Sequence, residues 1–175
     1  GGEGGRLPEF VWLQPRRARD GSRVVSHRPC TIDPSLGSSD EYTLGLARFL
    51  DRLLARDGAE KLTVLIDCRP RAGAPNVPVL KLLPLIQQMA KTLSEHFPER
   101  LENLVVYPVP MALGFVWGLV RPFLAPKTAD KVQLACGPAR QGSPCPVSLG
   151  AVVGLEAFRE ADRPGHAALE QYRGK

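Results

Sequence analysis

Between Leu104 and Val120 no side chain is charged, and prolines at 108 and 110 split that run into two apolar pieces. A proline lacks the N–H and crowds the turn before it, so it ends or kinks a helix. The upstream piece, Leu104 to Tyr107, is short and valine-rich, which predicts a buried strand. The downstream piece, Met111 to Val120, is apolar on every side and predicts a helix that sits inside the protein or meets lipid. A membrane-spanning helix needs about twenty apolar residues in one run, and neither piece is that long. A short polar helix and a second strand reaching Leu134 follow.

Upstream, Phe10 to Leu13 and Arg23 to His27 read as strands on either side of Asp20-Gly21, a pair that favours a tight hairpin turn. Ser38-x-x-Glu41 has the form of a capping box. Tyr42, Leu46, Phe49, Leu50 and Leu53 then recur at helical spacing, and Asp57-Gly58 supplies a stop. Leu62 to Asp67 predicts a central strand. Asn76 is placed to cap the next helix, whose face runs Val79, Leu82, Leu83, Ile86, Ala90 and Leu93, with a bend expected at Pro84. Strand, helix, strand, helix, strand is an α/β order, which implies a partly parallel sheet with right-handed crossovers.

The ends read differently. Residues 1–8 are glycine-rich and expected to be disordered. Residues 137–150 hold three prolines and read as loop. Leu155 to Tyr172 has weak helical character, broken at Pro164-Gly165. The expected organisation is one domain over 9–150 with a C-terminal segment over 151–175.

Composition adds a bias. At 175 residues, with 43% apolar and 23% charged side chains, the chain has the make-up of one globular domain. Its net charge of +5 suits phospholipid headgroups, acidic membrane surfaces or nucleic acid, or simply keeps the surface soluble. Arg16, Arg17 and Arg19 cluster at the hairpin turn, either as a solvated turn or as a contact for anionic lipid. No apolar core of signal-peptide type follows GGEGGR, so a cytoplasmic setting is expected.

Of the four cysteines, none forms a C-x-x-C pair. Cys68 reads as a small buried hydrophobe, while Cys136 and Cys145 flank a loop and can pair in an oxidising setting. His27, His96 and His166 are scattered, so no metal site is expected. G-x-S-x-G, G-x-G-x-x-G and G-x-x-x-x-G-K-[ST] are absent. The expectation is a binding protein without a cofactor, and not an enzyme.

One long ordered pattern goes further. Pro98-Glu99-Arg100, the strand ending at Tyr107, Pro110, Trp117, Arg121-Pro122-Phe123-Leu124 and Thr128-x-x-Lys131 together resemble the CRAL-TRIO lipid-binding domain. That is the family of the phosphatidylinositol/phosphatidylcholine transfer proteins and of the retinal- and tocopherol-binding proteins. The likeness covers roughly residues 60 to 135. It implies an α/β fold, a CRAL-TRIO-like mixed, partly parallel sheet flanked by helices, with a lipid pocket under a mobile apolar helix at about 110–121. Met111, Leu113, Phe115, Val116, Trp117, Leu119 and Val120 would form that lid and meet the acyl chains. Two acyl chains of about sixteen carbons, at ~0.8 kcal/mol per buried CH₂, make a transfer term on the order of 20–25 kcal/mol, so the cavity has to close around them.

The resemblance places Glu99, Thr128 and Lys131 at positions that engage an inositol phosphate headgroup in the phosphatidylinositol-transfer members. Lys131 would supply charge, and Thr128, one helical turn earlier, a hydroxyl donor. Glu99 would orient Lys131 or accept from an inositol hydroxyl. The implied partners are a phospholipid or other hydrophobic small molecule and the surface of anionic membranes, with peripheral association and no nucleic acid. The alternative is a protein-interaction module that has lost lipid binding and docks a partner such as a small GTPase. The altered loop Cys68-Arg-Pro-Arg-Ala-Gly73 speaks for that alternative.

Overall fold

The computed structural model describes residues 6–55 and 58–174. Residues 1–5 of the stretch expected to be disordered, and Asp57 of the expected helix stop, lie outside them. Leu7, within that stretch, packs against the cluster around Phe10 and Tyr42.

Strands β1 (Val11–Arg17) and β2 (Arg23–His27) form the antiparallel hairpin expected around Asp20-Gly21. Gly21 takes φ +88°, where a side chain would be strained. Helix α1 (Ser39–Leu53) opens with the capping box: Glu41 N–H donates to Ser38 Oγ at 3.2 Å, and Ser38 N–H donates to Glu41 Oε2 at 2.7 Å. Strand β3 (Leu62–Asp67), helix α2 (Val79–His96) and strand β4 (Leu101–Val109) follow. Helix α2 continues through Pro84. Asn76 does not cap it, because Pro78 holds the N-cap position; the Asn76 side chain instead donates to the Cys68 carbonyl at 2.8 Å and ties the loop to the end of β3.

Strand β4 is longer at both ends than the apolar core Leu104 to Tyr107 that predicted it. Past it, 3₁₀ turns at Met111–Leu113 and Arg121–Phe123 bracket a six-residue helix α3 (Phe115–Val120). The four-residue helix α4 (Pro126–Ala129) and strand β5 (Val132–Cys136) complete the sheet. Its five strands lie in sequence order, β1 antiparallel to β2 and the other neighbours parallel.

Sequential parallel strands joined by right-handed crossovers put their helices on one face. Helices α1 and α2 pack together there, over Val25, Leu50, Leu54 and Leu62 and over Phe10, Ile32, Tyr42, Leu82 and Leu85. Side chains alternate along a strand, so Val24, Leu65, Val105 and Tyr107 point to the opposite face. The C-terminal segment covers them through Cys145, Leu149, Val153, Phe158 and Leu169. It runs as 3₁₀ helices Val147–Ala151, Leu155–Ala157 and Glu160–Gln171, the last passing through Pro164-Gly165 without interruption. The stretch that read as loop and weak helix is thus one layer of a three-layer domain. All four cysteines are free thiols; Cys145 is buried and Cys136 exposed, so the possible pairing is not made.

Candidate functional site

Two regions inherit residues singled out in the sequence, and they sit at different places. The first is the turn–helix–turn from Met111 to Phe123, which leaves the end of β4 through Pro110. No residue of it is fully buried. Leu113, Val116, Trp117 and Val120 recur at helical spacing and are half-buried. Met111, Phe115, Leu119 and Phe123, each four residues from the last, are 88%, 56%, 41% and 41% exposed. The segment packs on α2, where Gln87 Nε2 donates to the Leu119 carbonyl at 3.2 Å. The seven expected lid residues therefore divide into an inward and an outward apolar face, and Phe123 joins the outward one.

The second region holds Glu99, Thr128 and Lys131, at the start of β4 and β5. The structure brings all three to one end of the sheet but does not pair Glu99 with Lys131. Lys131 Nζ donates to the Leu101 carbonyl at 2.6 Å, which draws the ammonium onto the strand. Lys131 N–H closes the turn on the Thr128 carbonyl at 3.1 Å. Glu99, with φ +60°, faces Lys127 at 3.8 Å, and both side chains are largely exposed. The expected orienting role of Glu99 toward Lys131 thus falls to a backbone carbonyl. Lys127 is the cation that sequence reasoning passed over; its place in the first turn of α4, one residue from Thr128, is the signal that pointed to it.

The largest buried polar cluster was not anticipated at all. It lies at the C-terminal ends of β2, β3 and β4, under the C-terminal segment. Asp67 accepts two parallel bonds from Arg69, Nε to Oδ1 and Nη2 to Oδ2, each 2.8 Å, and a third from Arg28 Nη2 at 2.8 Å. Burial pushes the Asp67 carboxyl up, but the Arg69 bonds and the Arg69 and Arg28 charges outweigh it and hold it below its usual range. The other end of Arg69 donates to the Ser143 and Gly165 carbonyls at 2.8 and 2.6 Å, latching the C-terminal segment to β3.

Beside it His166 stacks on Phe158, with ring centroids 3.8 Å apart. Its Nδ1 meets the Asp162 carbonyl at 2.7 Å, and Nε2 meets Tyr107 Oη at 2.8 Å. A carbonyl only accepts, so Nδ1 carries the proton and the Tyr107 hydroxyl donates to Nε2. Burial pushes His166 down to about 4, with the Arg69 charge adding to it against the opposing Asp162 bond. Burial, then the Asp67 charge, raises Tyr107 well above its usual range and lifts Cys68 to about 12, so Cys68 is no nucleophile at neutral pH. A second cluster joins the same segment to β1: Asp162 Oδ2 accepts from Trp12 Nε1, Gln14 Nε2 and Arg159 Nε at 3.0, 2.9 and 2.9 Å.

The basic turn is committed in part to structure. Arg17 pairs with Glu60, and Arg19 Nε donates to the Gly150 carbonyl at 2.6 Å while its guanidinium lies over the Tyr172 ring. Among the described residues no three metal-ligating side chains cluster, and no helix is long and apolar enough to cross a membrane. Among the described residues, two open clefts bear on the site. One, of about 480 Å³, borders Arg28, Arg69 and the C-terminal segment. The other, of about 790 Å³, runs between α1 and α2 past Thr43, Leu44, Gln88 and His96. Neither is lined by Met111–Phe123.

Comparison with known proteins fits this architecture. The family model described as the CRAL/TRIO domain matches residues 10–138. No curated protein matches the sequence. Among solved structures, the crystal structure of Sfh5 superposes with a TM-score of 0.57 at 17% identity, over 74% of this chain and 48% of that one. That likeness is one of fold, and this chain spans about half the length of that protein.

Proposed function

The chain belongs to the CRAL/TRIO domain family, a family of lipid-binding carriers, and from that premise we propose that it binds and transfers a phospholipid at membrane surfaces. The ligand class we favour is phosphatidylinositol-like, with Met111–Phe123 as the movable element and Glu99, Thr128 and Lys131 at the headgroup. The carrying observation is the exposed apolar stripe Met111, Phe115, Leu119 and Phe123 on a short segment with no fully buried residue. Such a segment has little packing to lose when it moves. Full burial of a side chain of this size is worth about 1.5–3 kcal/mol, so seating the stripe among acyl chains offsets the cost of opening. The cytoplasmic leaflet, anionic and accessible to a peripheral protein, suits the net charge of +5.

The test is gentle purification with mass spectrometry of what remains bound, followed by transfer of labelled lipid between vesicles. A co-purified phospholipid and vesicle-to-vesicle transfer are expected. Lys131→Ala should weaken phosphoinositide binding while sparing a neutral hydrophobic ligand. An empty protein without transfer activity would overturn the proposal. A second reading is a lipid-free module that docks a protein such as a small GTPase through the same stripe. The engagement of the Lys131 ammonium by the Leu101 carbonyl favours that reading, which predicts partner binding in the absence of any lipid.

A further inference from the structure

The Asp67 cluster leaves a positive charge over. One carboxylate faces two guanidiniums, Arg28 and Arg69. Arg69 spends four of its five N–H groups inside the protein, Nε and Nη2 on Asp67 and both Nη1 hydrogens on the Ser143 and Gly165 carbonyls. The fifth faces His166 Nε2 at 3.4 Å, whose lone pair the Tyr107 hydroxyl already takes. Arg28 makes a single side-chain bond, to Asp67. Its Nε is buried without a partner, and both Nη1 hydrogens are unspent. Nε is closed to solvent, so a polar occupant of the cleft meets Arg28 through Nη1, the end of the guanidinium left without a protein partner among the described residues.

Room for one exists. Arg28 and Arg69 border the cleft of about 480 Å³ whose walls are Pro70, Gly142 to Pro144 and a stretch of the last 3₁₀ helix, small residues with no carboxylate among them. Ser143 Oγ accepts from Arg140 N–H at 3.3 Å, which leaves the Ser143 hydroxyl hydrogen to be donated. The cleft opens at the C-terminal ends of the parallel strands β2 and β3.

We infer that this cleft is an anion site, which takes a phosphate or carboxylate group against the Arg28 guanidinium and the Ser143 hydroxyl. A guanidinium fork matches either group in a two-bond geometry. The site is separate from Glu99, Thr128 and Lys131: those lie at the opposite end of β4, about 20 Å away at the rise of a strand. It therefore stands whether or not the headgroup assignment does. The anion is either a free ion or the head of an amphipathic molecule, and the chemistry presented to Arg28 is the same.

The test follows the arginine Nε–H signals by NMR while inorganic phosphate, acetate and a short-chain phosphatidic acid below its micelle concentration are titrated in turn. Saturable movement of the Arg28 Nε–H signal with phosphate or acetate is expected, with affinity, read in the variants at the Ser143 backbone amide beside the cleft, falling at least tenfold in Arg28→Gln and less in Arg28→Lys. Competition between phosphatidic acid and phosphate at that signal assigns the site to a lipid head, and its failure to compete assigns the site to free anions. An unmoved or non-saturating Arg28 signal overturns the inference, as does equal affinity in folded Arg28→Gln. Should Arg28→Gln not fold, the wild-type titration decides alone.

Discussion

Acidification should unlatch the C-terminal layer through His166. In the folded chain this ring is neutral, stacked on Phe158, donating from Nδ1 and accepting the Tyr107 hydroxyl at Nε2. Protonation would destroy that acceptor and set a second cation beside Arg69, with Asp67 and Asp162 as the nearby carboxylates. Its folded pKa is depressed from 6.5 to about 4. The unfolded chain thus binds a proton in a window where the folded chain does not, and stability rises with pH across it. Stability from this group is intact above pH ~6.5 and falls by about 2 kcal/mol at pH 5 and about 3 kcal/mol at pH 4. Urea unfolding between pH 7.5 and 4, on wild type and His166→Gln, reads the difference in slope. His27, also pushed down by burial, adds a slope of the same sign that the variant keeps. Asp67, held low by its arginines, acts only below this window. Identical pH slopes in the two proteins, or a folded-state His166 that titrates at its ordinary value by NMR, would refute the reasoning.

Replacing Arg69 with Met should cost about 3–5 kcal/mol, since it strands a buried carboxylate and frees two carbonyls, with Arg28 recovering part of that; chemical denaturation checks it, with hydrogen exchange expected to rise first in residues 143–171. Ser38→Ala should cost about 1 kcal/mol by removing the acceptor of the Glu41 N–H at the start of α1, a shift in denaturation midpoint without a change in slope.

Elements whose signals are local were legible in the sequence. The Asp20-Gly21 turn, the Ser38 capping box and the valine-rich strands each announce themselves within a few residues, and the spacing from Pro98 to Lys131 carried the family. The C-terminal layer was not legible, because what holds it is distant in sequence. Asp162 is fixed by Trp12, 150 residues away, and Gly165 by Arg69, 96 away. Its 3₁₀ helices bond at i+3, and the pattern Phe158, Asp162, His166, Leu169 mixes polar with apolar on the buried face, which no simple periodicity reports. Arg69 was visible only as part of an altered loop after β3. Asn76 was misread for a related reason: an asparagine before a helix can cap it, but Pro78 took the N-cap place and the amide was drawn to Cys68. At the headgroup end, sequence placed Glu99, Thr128 and Lys131 near one another but could not foresee that the Leu101 carbonyl would claim the lysine.

The layer that covers Val24, Leu65, Val105 and Tyr107 begins only after the region of family similarity stops at residue 138. A gene trimmed at that boundary would encode a sheet with one bare greasy side and, in Asp67 and Arg69, a charged pair stripped of its roof. Such a polypeptide is expected to aggregate. Cloning limits for this chain should be drawn beyond Tyr172, whatever the similarity profile suggests.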